Sequence, residues 1–116
     1  MSRFVGPDET VDILCQGRIE VIQKKAGYRF SIDAILLANF VRTKKHERVL
    51  DIGTGCGIIP IYMSRKGCQN EMVGVEIQKD LYEVALKNKM LSSCSNVTYL
   101  HEDITSCFNA LKKTPF

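Results

Sequence analysis

Apolar and polar residues alternate through "DILCQGRIEVIQKKAGYRF", residues 12–30, with Ile19 and Val21 and then Tyr28 and Phe30 on the apolar phase. Gly17 and the stretch from Lys24 to Gly27 interrupt the alternation, so this part predicts one or two antiparallel hairpins. The period then changes. In "SIDAILLANFV" the apolar Ile32, Ile35, Leu36 and Phe40 fall at helical spacing behind Ser31, an N-cap type, and Asp33 stands in the first turn where the helix dipole favours a carboxylate. A helix over 31–42 is expected.

From residue 48 onward strand and helix patterns alternate. "RVLDIG" (48–53), "EMVGVE" (71–76) and "VTYLHED" (97–103) read as strands, while 57–67 and 79–93 read as helices and 104–116 holds room for one more. The connections are short, so successive strands must run parallel with right-handed crossovers, and helices must cover both faces of the sheet. The fold class is therefore α/β, the N-terminal half of a Rossmann-like, doubly wound fold (parallel β-α-β-α-β) preceded by a hairpin segment and a helix. Residues 1–30 form a β-rich cap and residues 31–116 the half-domain, the two making one continuous domain.

Composition fits that size. With 116 residues, 45% of them hydrophobic, the chain can bury one modest core. The net charge of +3 is N-terminal in origin: residues 1–50 hold nine Lys/Arg against six Asp/Glu, and residues 51–116 hold seven of each. That gives a weakly positive surface suited to a polyanion, or ordinary solvated loop charge. Five cysteines without a CxxC pair, and two histidines far from any of them, give no zinc pattern and point to reduced thiols in a cytoplasmic setting. No stretch approaches the length of a membrane span.

The chemistry concentrates in "VLDIGTGCGIIP", residues 49–60, where Gly53, Gly55 and Gly57 occupy alternate positions behind an apolar run and Asp51. After the first strand of such a fold, this turn faces the ligand crevice, and the first helix begins there with its N–H groups exposed. A dinucleotide loop needs glycine at position 58, which is Ile58, so the spacing argues against a nicotinamide oxidoreductase. The arrangement D-x-G-x-G-x-G over 51–57 instead resembles the S-adenosylmethionine loop of the class I methyltransferases. That resemblance implies S-adenosylmethionine as cofactor, with Asp51, Gly53, Thr54, Gly55 and Gly57 at its methionine end. Glu76, nineteen residues after Gly57 at the end of the second strand, then suits a ribose diol, and Ile77 one face of an adenine. At the end of the third strand, Asp103 can accept from an adenine amine, and the Ile104 N–H can donate to a ring nitrogen. Acidic residues at strand ends also serve as helix caps.

"GYRFSIDAILLANFV", "VLDIGTGCGIIPIYMSRKG" and "VGVEIQKDLYEVALKN" together are similar to the methyltransferase small-domain group, and most of all to its bacterial tRNA adenine-N6 methyltransferases, from about residue 10 to 113. The resemblance implies tRNA as substrate and places Tyr28, Phe30, Ser31 and Asp33 near the methionine end of the cofactor. By residue chemistry alone, Phe30 suits the core, and Ser31 with Asp33 suits a helix cap. The family's Asn-Pro-Pro-Tyr acceptor motif is absent from residues 1–116. The expectation is therefore a truncated product with weak or no cofactor binding and no transfer activity. The strand that would pair with 48–53 is expected to be missing too, leaving an open edge prone to self-association. Related enzymes acting on guanine-N2 of rRNA or on protein glutamine have similar loops, and a non-catalytic RNA- or partner-binding module is the reading from another class.

Overall fold

The protein is described from a computed structural model, which covers residues 5–27 and 29–111, the side chains of 108–110 excepted. Tyr28 and the end of the last predicted helix, 112–116, lie outside the described residues.

One hairpin forms. β1 (Glu9–Leu14) and β2 (Ile19–Lys24) pair antiparallel in the register Leu14↔Ile19, closed by residues 15–18. In the second stretch of alternation, Arg29 and Phe30 lie outside any strand, and their polar groups are taken by the hairpin. Gln23 Oε1 accepts the Phe30 N–H, and Arg29 donates to Asp12, Thr10 and the Lys24 carbonyl. α1 (Ile32–Phe40) follows, with the Ser31 hydroxyl accepting the Asp33 N–H at its N-terminus as the sequence suggests. Its apolar positions are not a buried stripe. Ala38 is buried, whereas Ile32, Leu36 and Phe40 are 69%, 51% and 80% exposed.

The remainder is β3 (Val49–Ile52), α2 (Ile58–Arg65), β4 (Met72–Glu76), α3 (Lys79–Ser92), β5 (Val97–His101) and α4 (Ile104–Leu111). The three strands are parallel, in the order β3-β4-β5, and this is the N-terminal half of a Rossmann-like fold. From β3 to β5 each element is one to three residues shorter than its periodicity suggests, and β3 shows why: Gly53, at φ +73, turns the chain out of extended conformation. β4 is buried along its whole length, as a central parallel strand must be. Met72 faces a cluster with Ile61, Val97, Tyr99 and the hairpin residues Ile19, Val21 and Ile22. Val73 and Val75 face the opposite way, against Cys107 and Leu111 of α4. Among the described residues β3 pairs with β4 alone, and no helix is long and apolar enough to cross a membrane.

Two buried polar contacts tie the hairpin to this sheet. Asn88 of α3, with no exposed surface, accepts the Ile22 N–H at 2.6 Å and donates to the carbonyls of Ile22 and Cys56 at 2.9 and 2.8 Å. Its amide thus completes the free edge of β2 and reaches the glycine turn as well. Nearby, the Glu9 carboxylate, almost fully enclosed, accepts from Lys87 at 2.8 Å and from the Gly6 N–H at 2.8 Å. Burial works to raise its pKa, but the Gly6 and Lys87 hydrogen bonds prevail and hold it below the ordinary 4.5.

Replacing Asn88 with Ala strands one buried N–H and two carbonyls, each costing about 1–3 kcal/mol when unpartnered. The Asn88→Ala chain is expected to lose roughly 3 kcal/mol or more, read as a lower midpoint in urea unfolding with unchanged slope.

Candidate functional site

At the carboxyl ends of the three strands lies a crevice of about 160 Å3, lined by Ile52, Gly53, Val75, Glu76, Ile77, Glu102, Asp103 and Ile104. Five residues expected from the sequence to serve one ligand therefore meet in one place: Gly53, Glu76, Ile77, Asp103 and Ile104. They arrive there because β3, β4 and β5 each end at the same level, in the register Ile52↔Val75↔Leu100.

The three glycines of the loop have separate tasks. All have positive φ: +73, +61 and +84 at Gly53, Gly55 and Gly57. A Cβ on Gly53 would meet nothing within 4 Å, so its bare backbone opens onto the crevice and leaves room for a ligand. Gly57 is required by packing, since a Cβ there would lie 2.4 Å from the Tyr99 hydroxyl oxygen. That hydroxyl donates to the Gly57 carbonyl at 2.6 Å, and burial pushes the Tyr99 phenol well above its ordinary 10.0. Gly55 gives its N–H to Glu76 Oε1 at 2.8 Å.

Glu76 is accordingly more than a rim carboxylate. It is 5% exposed, and its Oε2 accepts the Gln78 N–H at 3.0 Å, so it braces the loop from the end of β4. Each oxygen retains a second lone pair for a donor in the crevice. Beside it, burial raises the pKa of Asp51 above the ordinary 3.8; the hydrogen bond from the Thr54 hydroxyl, 2.8 Å, opposes this, and the Glu76 charge adds to it. Asp51 and Thr54 thus form a pair beneath the loop, with Thr54 itself buried. Cys56 is buried as well, and burial pushes its thiol up to about 12.

Asp103 performs the capping task that an acidic residue at a strand end can perform. Its Oδ1 accepts from the Thr105 N–H and hydroxyl at 2.9 and 2.7 Å, and these bonds hold its carboxyl below the ordinary 3.8. Ile104 opens α4, so its N–H has no partner within the helix. Ile77, 61% exposed, has its carbonyl held by His101 Nε2 at 3.0 Å, and the His101 ring stacks on Tyr82. Ser31 and Asp33 lie at the start of α1 and are not part of the crevice lining. Phe30 is half-buried and packs against the main cluster.

Sequence reasoning missed Tyr99 and Asn88, which support the loop from β5 and α3. One signal was available: Gly74 stands in the middle of a strand, where glycine marks a close approach. A Cβ at Gly74 would meet Thr54 Oγ1 and the Tyr99 ring at 2.7 Å.

A glycine turn, a carboxylate at the next strand end and a capped helix at the third, around one crevice, define a nucleotide-type site in a Rossmann-like half-fold. A profile of the protein-L-isoaspartate(D-aspartate) O-methyltransferase (PCMT) family matches residues 21–116, and the chain belongs to that family of methyltransferases. It is 28% identical over 93 residues to the tRNA1(Val) (adenine(37)-N6)-methyltransferase of Pseudoalteromonas translucida, covering 80% of this chain and 40% of that protein. It is 29% identical over 62 residues to the release factor glutamine methyltransferase of Buchnera aphidicola, covering 53% of this chain and 22% of that protein. The crystal structure of Pyrococcus horikoshii TYW2 in complex with MeSAdo superposes with a TM-score of 0.70 at 18% identity, over 86% of this chain and 38% of that one. The chain spans less than half the length of each of these relatives.

The division of labour among the glycines is measurable. Gly57→Ala combines left-handed strain of about 1–2 kcal/mol with the overlap on Tyr99, whereas Gly53→Ala incurs the strain alone. Thermal unfolding is expected to show the larger loss for Gly57→Ala; equal losses would contradict the packing assigned to Tyr99.

Proposed function

We propose that this chain is the S-adenosylmethionine-binding half of a methyltransferase that acts on RNA, in the first instance on the N6 amine of a tRNA adenine. The observation that carries the cofactor assignment is the meeting of Gly53, Glu76, Ile77, Asp103 and Ile104 around one crevice. The residues fit such a group: Gly53 leaves open space, Glu76 has spare lone pairs, and Ile77 offers an exposed apolar side chain.

When bound, S-adenosylmethionine supplies a methyl group activated by a sulfonium. The chain's residues would hold and orient it. Gly53 would let the methionine end approach the backbone, with Asp51 and Thr54 setting the turn beneath. Glu76 would accept from the ribose hydroxyls, Ile77 would cover the adenine, and Asp103 with the Ile104 N–H would read its polar edge. This is catalysis by proximity and orientation, which asks for no general base from these residues.

Similarity to a tRNA adenine-N6 enzyme over 80% of the chain supports the RNA reading. The glutamine methyltransferase relative keeps a protein amide as the second acceptor class. Residues 1–116 contain no Asn-Pro-Pro-Tyr run, so transfer by this chain alone is not expected. A cytoplasmic setting accords with five free cysteines.

Titration with S-adenosylhomocysteine, followed by amide NMR shifts, is expected to show weak binding that perturbs Gly53, Ile77 and Ile104. Glu76→Ala should weaken it at least tenfold by losing both the diol acceptor and the loop brace. Shifts confined to other regions would defeat the assignment, as would methylation of tRNA by the 116-residue chain for the claim of inactivity.

The second edge of β3 motivates a separate expectation. Parallel pairing of β3 to β4 directs alternate backbone groups away from β4, and no described strand receives them. We propose that the chain associates through this edge. Light scattering coupled to size exclusion should give a mass that rises with concentration; a constant monomer mass would rule this out.

A further inference from the structure

The end of α2 remote from the glycine loop carries a feature that the cofactor site does not use. Three surface depressions adjoin one another there as a trough, the first and second meeting at Lys66 and the second and third at Arg18 and Arg65. The first, about 210 Å3, includes Arg42, Tyr62 and Lys66; the second, about 240 Å3, includes Lys66, Arg65, Arg18 and Cys15; the third, about 330 Å3, includes Arg65, Arg18, Glu20 and Ser92. Four cations thus line these adjoining hollows, with one carboxylate, Glu20, among them.

The four come from three separate parts of the fold: Arg18 from the hairpin turn, Arg42 from the segment after α1, and Arg65 with Lys66 from the end of α2. All four are exposed, and among the described residues none is ion-paired, although Lys24, Arg29, Arg48 and Lys87 each are. Arg65 Nη2 donates to the Arg18 carbonyl at 3.0 Å, which fixes the hairpin turn against the helix end. The helix dipole gives a reason for Arg65 and Lys66 at a C-terminus. Arg42 likewise stands at the end of α1, where it donates to the Asn39 carbonyl at 2.8 Å, whereas Arg18, in the hairpin turn, has no such helix end to serve. Four like charges gathered with a single carboxylate among them repel one another, and the repulsion is relieved by a bound polyanion.

We infer that this trough is a docking track for the phosphodiester backbone of RNA. The concavity favours a chain over a flat anionic membrane, and spaced single cations suit successive phosphates. The track lies about 12 Å from the glycine turn along the eight-residue α2. It therefore grips the polymer away from the crevice rather than presenting the acceptor base. The inference deepens the RNA reading above and rests on it for the nature of the polyanion.

The test uses fluorescence anisotropy of a fluorescein-labelled single-stranded RNA of mixed sequence, titrated at several NaCl concentrations. With three or four phosphates engaged, log K is expected to fall with log salt at a slope of roughly −2 to −3. Arg18→Gln with Arg65→Gln should weaken binding about tenfold at low salt and make the slope shallower by about 1.4. Lys25→Gln with Lys79→Gln, equal in charge change but remote from the trough, should leave both nearly unchanged. Absence of RNA binding by the unaltered chain, equal loss in the two double variants, or tighter binding to phosphatidylserine vesicles than to RNA would each overturn the inference. Isothermal titration with S-adenosylhomocysteine on the same proteins separates the two claims, because the crevice should respond identically in all of them.

Discussion

The contact on which the rest of the site depends is that of Tyr99 with the two glycines it covers. Its ring and hydroxyl occupy the space that side chains at Gly57 and Gly74 would fill, and the hydroxyl donates to the Gly57 carbonyl. A phenol packed this closely fixes the start of α2 relative to β4 and β5. With that junction fixed, the Gly55 N–H is aligned with Glu76, and Gly53 stands open on the crevice. The loop is thus determined from below, by β5, and is ready for a ligand from above.

Much of this was legible in the chain, because hydrophobic period and turn chemistry are local. The alternation of strand and helix patterns from residue 48 onward located every element of the parallel sheet, and the convergence of the strand ends followed from topology alone. Boundaries moved inward where a single dihedral decided them, as at Gly53. What could not be read was support acting across long separations. Asn88 looks like one polar residue on an amphipathic helix, yet its amide completes an edge 66 residues away. Tyr99 looks like any apolar strand position until Gly57 and Gly74 are brought against it. Ser31 and Asp103 were legible as caps, and capping is the contact each makes.

The fold also separates two kinds of surface along one short helix. The turn that leads into it opens at Gly53 on an apolar crevice with a few placed polar groups, which suits a small ligand. Its C-terminal end gathers exposed cations from three parts of the fold, none ion-paired among the described residues, which suits a polymer. Since α2 is a rigid spacer, the separation between the two is set by its length and not by loops.

The buried thiol of Cys56 has a further consequence. Although it belongs to the turn, Cys56 packs into the main core cluster and is not among the groups that line the crevice. Burial, by pushing that thiol up to about 12, keeps it protonated and unreactive at physiological pH. The packing that shapes the turn thereby also shields its thiol from oxidation.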